Sequence, residues 1–279
     1  MKKSILLALL FMASTGYSQS AWNKKKGSGF LKLSQSFIVS DEFFDNSKEI
    51  VDITTTGVYI TSIYAEYGLS DKVTTFAYVP IFFRNTLIDI EFSTSNTFQE
   101  GDELISFGDT NIGLAYAIKQ DAKFVLNASL TLGLPLGNDS GGDTGLLQSG
   151  DGEFNQLVRA NWGYSFYPAP FYATGSVGFN NRTNDFSDEF HWGIEFGATI
   201  KEDFNLAFKI YNITSFENGD ALASQNGIFA NNTEFLSFGP ELSYTHNDKF
   251  GLSATIQGAA SGRNILAAPN YSFGIHYQF

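Results

Sequence analysis

The chain contains no cysteine among its 279 residues. Disulfides, thiolate metal sites, cysteine nucleophiles and a lipid anchor on an N-terminal cysteine are thereby excluded. Charge is scarce as well: 16% of the residues are charged, against about 25% in soluble domains. Basic residues are the scarcer kind, 17 against 29 acidic ones, for a formal net charge of −12. That balance argues against nucleic acid as a partner, because phosphate binding rests on Lys and Arg releasing counterions. Beyond the first dozen residues no apolar run approaches the length of a membrane-spanning helix, which needs about 20 residues. Helical periodicity is missing too. What the chain has instead is rings: 28 Phe and 13 Tyr, with aromatics at 16%. Its mean hydropathy is nonetheless close to zero, the average expected of strands that are apolar on one face and polar on the other.

The first residues are Met1, Lys2 and Lys3, then an apolar stretch from Ile5 to Met12, then Ala13, Ser14, Thr15, Gly16, Tyr17 and Ser18. This is the pattern of an export signal. We expect a signal peptide over 1–18, with a cut after Ser18 or Ser20, and an outer-membrane domain over 19–279.

The body alternates with a period of two, as strands do. Tyr271, Phe273, Ile275, Tyr277 and Phe279 share one face; Asn270, Ser272, Gly274, His276 and Gln278 share the other. The same contrast recurs over 250–257, 190–200 and 124–134. Twelve strands are expected: 29–39, 57–68, 72–84, 109–119, 123–134, 154–166, 171–181, 189–200, 204–215, 234–246, 249–260 and 268–279. The faces of the second and third are not readable. Tight connections at Ser70-Asp71, Gln120-Asp121, Pro168-Ala169-Pro170, Glu202-Asp203 and Asn247-Asp248 alternate with longer ones over 40–56, 85–108, 135–153, 182–188, 216–233 and 261–267. A hairpin of about 45 residues thus repeats loosely. Short periplasmic turns and long extracellular loops are the mark of a transmembrane barrel. An even strand number puts every short turn on one side.

Alternation alone also fits a soluble sandwich or barrel. The polar face decides between them: it holds Gly, Ser, Asn, Thr and Gln rather than the Lys, Glu and Arg of a sheet facing bulk water. Rings such as Trp162, Tyr164, Phe166, Phe171, Phe190 and Trp192 gather near strand ends, as in interfacial girdles. The expected fold is therefore a closed antiparallel transmembrane β-barrel of about twelve strands, lying in outer-membrane lipid.

Lumen-lining candidates are the ionisable residues on the polar face: Lys32, Glu66, Arg159, Glu195, Lys209 and Glu241. Reflection about the turn at Glu202 places Glu195 opposite Lys209, where unlike charges stabilise a strand pair. These residues are read either as charge neutralisation or as a constriction that orients a solute. Inward glycines leave room for a solute or permit strand curvature. About eight residues separate Ser20 from the first strand, too few for a plug domain.

Chemistry beyond this is sparse. Ser272 and His276 share a face but stand about 13 Å apart along one strand, so no enzyme is expected, and no cofactor or metal. Asp139, Asp143 and Asp151 lie in an acidic loop that does not match calcium-loop spacing; it reads as flexible and solvated. Asp41–Asp45 reads as a solvated loop, with exposed contact as the alternative.

Three stretches together carry a resemblance. They are Tyr67-Gly68-Leu69-Ser70-Asp71-Lys72-Val73 with Pro80 beyond, Phe107-Gly108-Asp109-Thr110-Asn111-Ile112-Gly113-Leu114, and Leu134-Pro135-Leu136-Gly137-Asn138-Asp139. They resemble the outer-membrane family labelled for the meta-pathway of phenol degradation. Leu136 replaces that family's usual Thr, and Asn138 is added before Asp139. The resemblance implies a barrel admitting small aromatic or apolar compounds, and supplies no catalytic residues. The terminal Phe279 resembles that of Bacteroidetes-type barrels, which implies recognition by the barrel-assembly machinery. Two functions are open: a passive channel for small solutes, or a non-conducting barrel whose loops bind partners. Lumen occupancy separates them.

Overall fold

A computed structural model describes residues 21–92, 97–201, 203–220 and 227–279. The expected signal peptide lies outside them. Twelve long strands form the wall: β1 Gly29–Phe44, β2 Ile50–Gly68, β3 Val73–Leu87, β4 Thr110–Gln120, β5 Phe124–Leu134, β6 Asn155–Ser165, β7 Phe171–Arg182, β8 Glu189–Ile200, β9 Phe204–Ser215, β10 Glu234–His246, β11 Phe250–Arg263 and β12 Asn270–Gln278. Each pairs antiparallel with the next, and β12 returns to β1. At that seam the Gly29 N–H donates to the Phe279 carbonyl at 2.8 Å and the Phe279 N–H to that of Gly29 at 3.1 Å. Lipid offers no partner to an open edge, so closure is obligatory.

The barrel is apolar outside and polar within. On β11 and β12, Leu252, Phe273 and Ile275 are 58%, 56% and 55% exposed, while Ser253, Ser272 and His276 between them are buried. Rings cluster at both rims, as with Tyr277 and Phe279 at the periplasmic end and Phe37, Tyr59 and Tyr271 at the extracellular end. A bulge in β3 reverses its faces: Thr61 pairs with Phe82 but Ser62 with Pro80, so Ile81 is extra.

Two loops differ from expectation. The first hairpin continues to Phe44↔Ile50 rather than opening into a loop over 40–56. Asp45 closes its turn by accepting the N–H groups of Ser47 and Glu49 at 2.7 and 3.0 Å. Asp41–Asp45 is therefore largely strand, and Phe43 packs with Val58, Phe83 and Leu266 inside the mouth. Within 85–108, Ile90–Phe92 pairs with Thr97–Gln99, and Asp102–Ser106 prolongs the wall beside β3.

Candidate functional site: the lumen and its two closures

The segment before β1 turns into the periplasmic end of the barrel. Trp22 packs against Val125 and Tyr172, its ring edge-on to Tyr172 at 6.0 Å. Gly163 makes the slot, since a Cβ there would lie 2.5 Å from the Trp22 ring. Asn127 donates to the Ala21 carbonyl at 2.9 Å, and Asn23 donates to the Ala115 carbonyl at 2.9 Å. Lys24 reaches Glu66 at 3.2 Å. Residues 21–28 thus reach into this end of the lumen.

Above it an arc of charges crosses from β8 to β1. Glu241 is only 2% exposed. It takes Lys209 at 2.9 Å, Lys32 at 4.0 Å and the Thr255 hydroxyl at 2.8 Å. Glu195 faces Lys209 in register, as the turn arithmetic required, at 3.7 Å, and accepts the Tyr172 hydroxyl at 2.7 Å. Each charge of the arc thus lies beside one of opposite sign. Across β10 and β12, Thr245 Oγ1 meets His276 Nε2 at 3.1 Å.

A third group sits nearer the outside. Arg159 runs across Gly178, where a Cβ would lie 2.5 Å from its stem. Its Nη2 meets the Tyr211 hydroxyl at 2.5 Å and His191 Nδ1 at 3.2 Å. His191 Nε2 meets Glu189 at 2.8 Å. Glu189 in turn takes Arg182 at 2.9 Å, and Arg182 also holds Glu153 at 2.7 Å and Asp151 at 2.6 Å.

The loop over 135–153 folds against the extracellular mouth, where the Gln148 carbonyl accepts the Asn85 side chain at 3.1 Å. Its first half is solvated, but Leu147, Gln148, Ser149 and Glu153 are buried, so it is not the free acidic loop expected. Asp109 accepts the N–H groups of Gly137 and Asp151, each at 2.9 Å. Asp102 accepts the N–H groups of Asp143 and Thr144 at 2.9 and 3.0 Å. Burial pushes the Asp102 carboxyl up, but these bonds and the Thr144 hydroxyl outweigh it and bring it to about 2. Asp151 goes the other way: burial raises it, Arg182 opposes this, Asp109 adds to it, and it stands at about 7. Burial likewise raises Glu153 against the pull of Arg182. The Gln148 side chain receives the Phe229 N–H at 3.2 Å, tying this loop to the one over 227–232. Phe229 caps Val58, Ile60 and Phe83.

All six candidates from the sequence lie on the inner face. Lys32 and Glu66, on neighbouring strands, do not meet each other; Lys24 and Glu241 are their partners. Glu189, His191 and Arg182 were not among the candidates. Glu189 and His191 share the parity of Glu195, a signal that was available; Lys24 lies outside any strand and Arg182 at a strand end. Among the described residues no group of His, Asp or Glu is placed to hold a metal, and Asp151 of the acidic loop is committed to Arg182.

No protein-family model matches the chain, and no curated protein does. Solved structures do. An outer membrane channel from Pseudomonas putida F1 aligns at a TM-score of 0.64 with 12% identity, over 96% of this chain and 100% of that one. The translocator domain of the autotransporter NalP from Neisseria meningitidis aligns at 0.54 with 11% identity, over 92% and 90%. The NanC porin aligns at 0.53 with 11% identity, over 89% and 100%. At such identities the likeness is one of fold, that of outer-membrane β-barrels.

Proposed function

We propose that the chain is a passive outer-membrane conduit for small aromatic or apolar solutes, closed at rest at both ends. One observation carries the reading. The inner part of the N-terminal segment, 21–26, and the loops over 135–153 and 227–232 lie off the strand ladders, held by polar contacts and by the packing of Trp22 and Phe229. Each can withdraw without opening a rung of the barrel. The wall they would uncover is rich in Gly, Ser, Asn and Thr. The solute class rests on the apolar vestibule of Ile38, Val58, Ile60 and Phe83 beneath Phe229, and on the resemblance to the phenol-degradation family. Export by a signal over 1–18 and assembly through Phe279 belong to the same proposal.

Liposome swelling with purified protein tests it, using phenol-sized aromatic solutes beside sugars of equal mass. Faster entry of the aromatics supports the reading. Equal entry removes the solute class, and no entry of any solute replaces the conduit with a non-conducting barrel.

A further inference from the structure

Arg159 is only 3% exposed, and among the described residues no carboxylate lies within salt-bridge reach of it. Its partners are the neutral Tyr211 hydroxyl and the His191 ring, both through Nη2; Nε is buried without a hydrogen-bond partner. The other lumen cations differ. Lys24, Lys32, Lys209 and Arg182 each meet at least one carboxylate. Glu189, the acid nearest along the network, is already divided among Arg182, His191 and Asn180. A guanidinium stays charged in proteins, and a buried charge needs a partner to offset its lost hydration.

We infer that Arg159 is the anchor for the carboxylate of a small aromatic acid held in the lumen. The inference rests on the conduit reading above and narrows its solute class. A guanidinium fork matches the two oxygens of a planar carboxylate, where an ammonium offers only a point charge. The same spot suits an aromatic body. The Arg159 guanidinium lies 5.6 Å from the centroid of the Tyr211 ring, and Phe235 stands 6.0 Å from that ring. Both rings keep part of their surface accessible. Gly178 and Gly193 keep the floor beneath this group low: Arg159 crosses the first, and Tyr211 lies against the second.

Calorimetric titration of the full chain in detergent with benzoate, benzyl alcohol and inorganic phosphate tests the assignment. Benzoate is expected to bind saturably, and Arg159→Gln to weaken it at least about tenfold while leaving benzyl alcohol unchanged. Arg159→Lys keeps the charge without the fork and should fall between. If the Gln variant does not fold, the Lys variant is read by itself, with benzoate weakened and benzyl alcohol unaltered. No benzoate binding to the wild type, equal binding to the variants, or tighter binding of phosphate than of benzoate would each overturn the anchor. Because binding is read rather than flux, a protein that binds benzoate but swells no liposomes refutes the conduit and keeps the anchor.

Discussion

Asp109 receives the backbone N–H of Asp151 at 2.9 Å, so two carboxyls that repel when ionised are held together at the extracellular mouth. With the loop closed, Asp151 keeps its proton to a pH of about 7, far above its ordinary 3.8. A carboxyl raised by closure favours the closed state below its free value, and that contribution fades as pH rises through the raised one. Asp102, lowered to about 2, acts oppositely. Its contribution is present above 3.8 and fades as pH falls toward 2. Closure is therefore tightest near pH 4, where both contributions are present, and loosens as pH rises to about 7. The chain lacks cysteine, so a spin label on Leu146→Cys reports loop mobility alone. Mobility should rise between about pH 4 and 7, and Asp151→Asn should flatten that rise; a flat wild-type profile rejects the latch.

Glu241 separates two buried ammonium groups, Lys32 and Lys209. Glu241→Gln leaves Lys32 without a carboxylate and Lys209 with Glu195 alone, at a cost of about 3–5 kcal/mol. Urea unfolding from lipid, read by tryptophan fluorescence, measures it. Replacing the lysines together with the acid by apolar residues should recover most of the loss, since buried ion pairs exchanged for packed hydrophobes are often neutral. A single variant as stable as the wild type would show that water reaches these charges.

Trp22 fastens the periplasmic closure through Val125, Tyr172 and the Gly163 slot. Trp22→Ala removes that packing, a loss of about 3–5 kcal/mol for a well-buried ring. The strands are untouched, so the barrel should stay folded while single-channel conductance in planar bilayers increases. Conductance equal to the wild type would mean that the segment remains in place without its ring.

The faces of the barrel predict asymmetric tolerance. Ile275 points to lipid and its neighbour Gly274 to the lumen. Ile275→Arg should cost about 2–4 kcal/mol at the bilayer midplane, whereas Ile275→Leu should be nearly neutral. Equal stability of the two variants in liposomes would place this face in water.

Strands were legible wherever the two faces differ in chemistry, as on β8 and β12, where rings alternate with Gly, Ser and His. β2 and β3 were not. Val58, Ile60 and Tyr64 face inward on β2 opposite an equally apolar outer face, so the pattern had no contrast. On β3 the bulge at Ile81 switches parity in mid-strand. The opposition of Glu195 and Lys209 followed from counting about a turn, because register in a tight hairpin is fixed by its loop. The network around Arg182 did not, since its acids come from a loop whose composition reads as solvated. The course of Ala21–Ser28 has no period at all; it is set by contacts with six separate strands.

Gly29 and Phe279 join the two ends of the sheet, and nearly all of the barrel sequence lies between them. No early fragment of the chain can satisfy both edges of its own sheet, however well its hairpins form. Every intermediate is an open ribbon with two reactive borders, prone to self-association in water. Closure of the sheet therefore waits on the C-terminal strand: until β12 meets β1, both borders stay open.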